Sequence, residues 1–321
     1  MTSLRQPPNF YAGNNFNRFA ARRRDGEWLA ALLASGELCL LPLWQGRSLI
    51  TGGMQSPMIS LLEPRTIGEM AATTELVFLG EFRGKFCFAV ELHGTSAPLT
   101  PEHGEFYDLR LVGGQMDREE AGLLGYARAL LMWRDKHRYC GRCAALNHSI
   151  HAGHALKCSN ESCGQIHFPR LDPAIIVLVT DGERVLLGRQ AQWPAGRYST
   201  IAGYIEWAES VEEAVAREVH EETGVIVDEV EYHSSQPWPF PSSLMLGFIA
   251  HANTTKIERI DNELEDARWF TRADIASGAI TLPSVQAVSF RLIETWYDRN
   301  ASRPLRAELA AQVATIAQPS K

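Results

Sequence analysis

The 321-residue sequence has no apolar run of the roughly 18–20 residues that a membrane-spanning helix requires. No membrane partner is therefore expected. It also has no excess of positive charge. There are 31 Lys and Arg against 38 Asp and Glu, a formal net charge of -7. That argues against a broad basic contact surface for nucleic acid without excluding nucleic-acid binding. Any polyanion the protein handles should enter a local site, with a cation as go-between. No apolar segment precedes Arg22-Arg23-Arg24, so the start does not read as a secretory signal. The Arg-bearing, acid-free first 24 residues leave a mitochondrial presequence as an alternative, which the polar run Asn14-Asn15-Phe16-Asn17 disfavours. No internal repeat is visible. The six cysteines do not form a secreted disulfide framework. Cys39 and Cys87 stand apart and read as free buried thiols in a reducing compartment, so a cytoplasmic location is expected.

Apolar content is ordinary at 45%, enough for one large core or two or three smaller ones. Residues 1–130 read as a small mixed α/β domain. Strands are expected over Glu75–Gly80 and Lys85–Glu91 around a Gly80–Gly84 hairpin loop, then a helix over Glu119–Trp133. No catalytic cluster is visible there. Residues 131–170 hold most of the cysteines, and 171–300 form a third region. Its strand Ala174–Thr180 and apolar run Val185–Leu187 flank Asp181-Gly182, a tight-turn signal that needs positive φ. A strand over Ser243–Ala252 and a helix over Ala287–Asp298 follow, and 301–321 is a tail with loose last residues.

Cys140-Gly141-Arg142-Cys143 and Cys158-Ser159-Asn160-Glu161-Ser162-Cys163 are two knuckles separated by 14 residues. Four thiolates make a closed tetrahedral zinc shell with no position for substrate, so the role is structural. Iron suits the same sulfurs. His151, His154 and His167 lie nearby but are not needed as ligands.

The most informative segment is Gly203–Val225. Ser210 and Glu213 form a capping box that starts a helix, and Gly224 is placed to stop it. At 100° per residue Val211, Ala214 and Val215 define the packed side. Glu218 and Glu222 fall on that side one turn apart, with Glu221 at its edge, while Glu213, Arg217 and His220 point elsewhere. Inward carboxylates need compensation, and bound divalent cations supply it. Carboxylate oxygens are hard donors suited to magnesium or manganese beside a diphosphate.

Gly203, Glu209, Arg217, Glu218, Glu221, Glu222 and Gly224, with apolar Val219 and Val225, meet every fixed position of the Nudix box. The chain thus resembles the Nudix hydrolases, which cleave a nucleoside diphosphate linked to another moiety. Ser235-Gln236-Pro237-Trp238-Pro239-Phe240-Pro241-Ser242-Ser243 resembles the motif that follows the box in NADH pyrophosphatases. His137–Cys143 and Phe168–Pro173 resemble that subfamily's zinc ribbon and its lead into the Nudix domain. The second knuckle departs from the family's usual C-x2-C by being C-x4-C.

The resemblance implies an α+β fold: a Nudix α/β/α sandwich with a mixed sheet, preceded by a four-cysteine zinc ribbon and a smaller mixed N-terminal domain. It implies hydrolysis of NADH or NAD to nicotinamide mononucleotide and AMP, removal of NAD caps from RNA 5′ ends, and a homodimer. It places structural zinc on Cys140, Cys143, Cys158 and Cys163. It places magnesium or manganese on Glu218, Glu222, Glu263 and the carbonyl of Ala202, with Glu221 sharing. Glu209 and Arg217 would fix the loop before the helix. Phe168, Gln236, Pro237, Trp238, Pro239, Phe240, Pro241, Ser243 and Ser289 would face the dinucleotide, with base stacking on Trp238 or Phe240. The proton acceptor is open among Glu221, Glu222 and a downstream glutamate. Competing readings are a Nudix enzyme preferring ADP-ribose or diadenosine polyphosphates, a non-catalytic RNA-binding protein, and a protein-interaction module.

Overall fold

The computed structural model describes residues 7–12, 16–67, 75–94, 101–260 and 263–316. The chain forms two compact units. One comprises residues 11–171 with 238–243, and the other residues 1–10, 172–237 and 244–321.

In the first unit, Asp25 accepts from the Trp28 backbone N–H and caps α1 (Gly26–Ser35), which stops at Gly36 in the left-handed region. A six-stranded sheet follows: β1 (Leu38–Trp44), β2 (Arg47–Thr51), β3 (Met58–Ile59), β4 (Leu76–Phe82), β5 (Lys85–Leu92) and β6 (Glu105–Tyr107). The order is β3-β2-β1-β5-β4, with β6 on β2 and β1 parallel to β5. The expected hairpin at Gly80–Gly84 is tighter than its sequence suggests. Strand β4 continues through a bulge at Phe78/Gly80 to Phe82, leaving Arg83-Gly84 as the turn. Both turn residues have positive φ, which suits the twist of a two-residue hairpin. Cys39 and Cys87, distant in sequence, face each other across β1 and β5 as buried free thiols, Sγ to Sγ 3.0 Å. Helix α2 (Arg118–Lys136) begins at Asp117, whose carboxylate accepts from the backbone N–H of Glu119 and Glu120. A three-stranded sheet of β7 (Asn147–Ile150), β8 (Ala155–Cys158) and β9 (Ile166–His167) completes this unit.

The second unit is a sheet between two helical layers. Its strands are β10 (Asp172–Thr180), β11 (Arg184–Arg189), β12 (Ile201–Tyr204), β13 (Val227–Trp238), β14 (Ser243–Ala252) and β15 (Asp266–Thr271). The order is β13-β14-β10-β11-β15, with β12 antiparallel to β10. The turn between β10 and β11 places its positive φ on Gly182. Strand β10 reads as continuously apolar because both faces are covered. Ile175, Val177 and Val179 pack with Ala214, Val215 and Val219 of α3 (Val211–Thr223). Ile176 and Leu178 pack with Val288, Leu292, Ile293 and Trp296 of α4 (Val288–Asn300). The period-2 alternation of one strand thus builds both cores of the expected α/β/α sandwich. In the tail, Leu305–Ile316 forms α5; residues 317–321, expected to be loose, lie outside the described residues. Among the described residues no helix is long and apolar enough to cross a membrane.

Candidate active site and zinc ribbon

The site is built on α3. Ser210 accepts from the Glu213 backbone N–H at 3.2 Å, and the Glu213 carboxylate accepts from Ser210 N–H at 2.8 Å, completing the capping box. The helix ends at Gly224, φ 70°, where the peptide N–H reaches the His220 carbonyl at 2.7 Å. A Cβ there would stand 2.7 Å from the Glu258 carbonyl, so both conformation and space require glycine.

Glu218 is half-buried and Glu222 is 3% exposed. Gly203 on β12 explains where the Glu218 carboxylate fits: any side chain at 203 would overlap it. Burial raises the Glu218 carboxyl above the ordinary glutamate range, offset by Arg217 and reinforced by the charges of Glu221 and Glu263.

Arg217, which helical phase alone turns away from this cluster, folds into its centre. All five of its N–H donors are used. Nε and Nη2 donate to the two Glu209 oxygens at 2.7 and 2.9 Å, Nη1 to Glu218 at 2.8 Å and Glu221 at 3.0 Å, and Nη2 to the Tyr204 carbonyl at 2.9 Å. Helical phase describes the Cα–Cβ direction, and a long guanidinium stem can turn from it to reach charge. Glu209 also accepts from the Glu206 N–H at 3.0 Å, and Arg217 holds its carboxyl below the usual glutamate range. The Tyr204 carbonyl and Glu206 amide are members of the site that carry no side-chain signal in the sequence.

Ala202 lies on β12 opposite Ile176, and Glu263 lies on the exposed approach to β15. Among the described residues, the one group of three or more potential ligand atoms gathered to hold an ion is the cysteine quartet. Glu218 and Glu221 of α3 gather on Arg217 instead. Their donor chemistry still fits a divalent cation, because several like charges share a half-buried cradle that only Gly203 leaves open. Replacing Gly203 with alanine should displace the Glu218 carboxylate by about 1 Å and lower kcat by roughly 10²-fold. Steady-state turnover with an unchanged circular dichroism spectrum checks this.

The other expected substrate residues divide between the units. In the second unit Gln236 is 1% exposed. Its Nε2 donates to the Gln286 carbonyl at 2.8 Å and the Phe10 carbonyl at 3.2 Å, and its Oε1 accepts from Val288 N–H at 2.8 Å, tying β13 to the start of α4. Pro237 follows it on β13. Ser289 is buried, its hydroxyl shared with Ser199 at 2.9 Å and Thr200 at 2.8 Å just before β12. In the first unit the Phe240 ring is 7% exposed, with Tyr11 and Trp238 edge-on and the Arg110 and Arg128 guanidinium carbons 5.0 and 5.2 Å from its centroid. The ring expected to offer a free stacking face is packed. Arg128 also donates to the Pro239 carbonyl, and a cis bond joins Phe240 to Pro241. Ser243 is buried at the start of β14, while Phe168 stands exposed. No local pattern marks Tyr11, Arg110 or Arg128 as neighbours of Phe240; only the fold joins them.

The four cysteine Sγ atoms lie within 4.8 Å of one another. A tetrahedral shell with Zn–S near 2.3 Å needs sulfurs about 3.8 Å apart. Cys140–Cys163 is 3.9 Å and Cys143–Cys158 is 3.4 Å. The Arg142 backbone N–H is foremost in drawing Cys140 down to about 6, whereas burial is foremost in pushing Cys158 up to about 12, so without a metal the negative charge of the quartet concentrates on Cys140. The long second knuckle closes through Asn160, whose carbonyl accepts from Cys163 and Gly164 N–H, both at 2.9 Å, and whose side chain accepts from Ser162 N–H at 3.0 Å. The extra residues form a turn and leave the sulfurs converged. A Cys158→Ser variant should lose its zinc and melt at lower temperature, since metal binding is part of the folding free energy of such small sites. Metal content and a thermal melt of the same sample check both.

Family models match the chain in three places: a NUDIX domain over residues 170–292, an NADH pyrophosphatase zinc ribbon domain over 135–168, and an NADH pyrophosphatase-like rudimentary NUDIX domain over 37–133. The chain is 42% identical over 226 residues to the NAD-capped RNA hydrolase NudC of Stutzerimonas stutzeri, covering 70% of this chain and 79% of that protein. The chain belongs to the Nudix hydrolase family. It carries that family's NADH pyrophosphatase zinc ribbon, with the four cysteines as its structural zinc site. It is also 36% identical over 242 residues to the human mitochondrial NAD(P)H pyrophosphatase NUDT13, covering 69% of this chain and 67% of that one. Human NAD-capped RNA hydrolase NUDT12 is 39% identical over 197 residues, covering 57% of this chain and 43% of its own length. The first region, where no repeat was visible, thus matches a second model of Nudix type. Its helix α2 keeps an apolar packing pattern while lacking the carboxylate spacing of the box.

Proposed function

We propose that this Nudix hydrolase cleaves the diphosphate of NADH or NAD, releasing nicotinamide mononucleotide and AMP, and removes NAD caps from RNA 5′ ends. The observation that carries the reading is the α3 cluster: Glu218 in the cradle left by Gly203, Glu222 buried one turn on, and Arg217 joining Glu209, Glu218 and Glu221. Relatives named as NAD-capped RNA hydrolases and an NAD(P)H pyrophosphatase support the substrate class.

Glu218, Glu222, Glu263 and the Ala202 carbonyl are the proposed holders of magnesium or manganese, with Glu221 sharing. Such cations, when bound, neutralise the diphosphate and make an attacking water acidic. The chain's part is placement. Glu209 and Arg217 fix the loop between β12 and α3, and Gly203 leaves room for the carboxylate. Glu221, half in solvent and anchored by a single hydrogen bond to Arg217, is the residue of the three best placed to take a proton from water. Phe168 and the 235–243 segment are assigned to dinucleotide recognition on the subfamily motif, with Gln236 and Ser289 acting by holding the start of α4. A homodimer in the cytoplasm completes the proposal.

The test is product identification. Purified protein is incubated with magnesium or manganese and, separately, NADH, NAD, ADP-ribose and NAD-capped RNA. Reduced nicotinamide mononucleotide and AMP from NADH, and 5′-monophosphate RNA from the capped transcript, are the expected products. Cleavage of ADP-ribose alone would leave the metal chemistry standing and overturn the substrate assignment.

A further inference from the structure

Trp207 is fully exposed, at 101% of its reference accessibility, in the loop between β12 and α3. Tryptophan is on average one of the more buried residues, so a ring standing wholly in water needs a reason. The loop carrying it is not slack. Ile205 N–H donates to the Pro173 carbonyl at 3.2 Å, and Glu206 N–H to the Glu209 carboxylate at 3.0 Å. Ala208 is held at φ 63°, a conformation costly for a residue with a Cβ. Glu209, the next residue, accepts from Nε and Nη2 of Arg217, and Ser210 caps α3. The indole is thus mounted on a braced loop inside the box, between Gly203 and Glu209, with Tyr204, 59% exposed, three residues before it.

The surroundings restrict the partner. Glu206 in the loop, with Glu212 and Glu213 in the first turn of α3, makes the surroundings acidic, which disfavours a tracked phosphate backbone. A neutral π face is the contact this ring offers. Small ligands are enclosed, burying roughly 70–90% of their surface, and an open ring encloses nothing. A base on a strand that continues into solvent fits it, because base–aromatic stacking is open-sided and tolerant of sequence.

We propose that Trp207 is a stacking platform for the base of the nucleotide that follows the NAD adenosine in a capped 5′ end. The inference rests on the hydrolase reading above. It adds a single-nucleotide RNA contact that free NADH cannot make.

Wild type, Trp207→Ala and Trp207→Phe are compared on NADH and on a short NAD-capped RNA, with sedimentation to follow association. The alanine variant should lose roughly tenfold or more in kcat/KM on capped RNA, the stacking contribution of one base. NADH turnover should change by less than about twofold, and phenylalanine should restore most of the loss. The loss should be equal at low and high salt, since stacking releases no counterions. Equal losses on both substrates, no loss on either, or a change of oligomeric state in the alanine variant would each overturn the proposal. If wild type cleaves NADH but not capped RNA, this inference fails and the diphosphatase reading stands. If it cleaves neither, both fall.

Discussion

Glu222→Gln should abolish most turnover, with kcat falling by roughly 10²–10³-fold while bound zinc is unchanged. The substitution keeps the shape of the side chain and removes one negative charge from the buried end of α3. A carboxylate that helps hold a divalent cation contributes several kcal/mol of transition-state stabilisation, and each 1.4 kcal/mol is about tenfold in rate. The cysteine quartet lies in the other compact unit and should not respond. Metal analysis beside steady-state kinetics separates the two effects. Turnover within about twofold of wild type would remove Glu222 from the metal site.

Arg217→Met should harm stability as well as rate. The guanidinium has three carboxylate partners, and its side chain is 24% exposed against 13% for Glu209 and 12% for Glu218. Removing one member of a buried charge network leaves the others uncompensated, a loss near 3 kcal/mol at the lower end of the usual range because the cluster is partly wet. For a unit of this size that corresponds to a melting temperature lower by roughly 6–12 °C. The pH dependence follows from Glu209. Its folded carboxyl lies below the ordinary value because of Arg217, so its contribution is complete above the unfolded glutamate pKa of about 4.3. The contribution disappears as pH falls through the depressed folded value. The gap between wild-type and variant melting temperatures should therefore be full at neutral pH and narrow on acidification below about pH 4. A gap independent of pH would mean that Arg217 stabilises by packing its stem rather than by charge.

Much of this protein is local information. The start and stop of α3 were legible because caps and C-terminal glycines act within one turn. The zinc ribbon was legible because a metal shell imposes ligand spacing on the chain. Strand β10 was legible because apolar residues run unbroken through it, and the box identified the family because each of its positions has a chemical or steric task. Helical phase sent Arg217 the wrong way because a flexible side chain reaches beyond the direction of its Cβ. The turn at Gly80–Gly84 is shorter than its glycines suggest because a bulge lets the strand pass through Gly80. The rudimentary NUDIX domain over 37–133 carries no motif in the sequence because its packing pattern survives without the carboxylates that mark the box of the second domain.

Short-range features are readable along the chain: which residues carry donors suited to metal, where α3 begins and ends, and that four cysteines are spaced to converge. Tertiary structure alone decided which side chains meet. It set Glu218 in the cradle at Gly203, 15 residues away, placed Cys39 beside Cys87, and packed Phe240 among Tyr11, Arg110 and Arg128 while leaving Trp207 in water. The physical reason is range. Caps, turns and ligand spacings act over a few residues of chain, whereas burial and charge pairing depend on distances that only the folded chain creates.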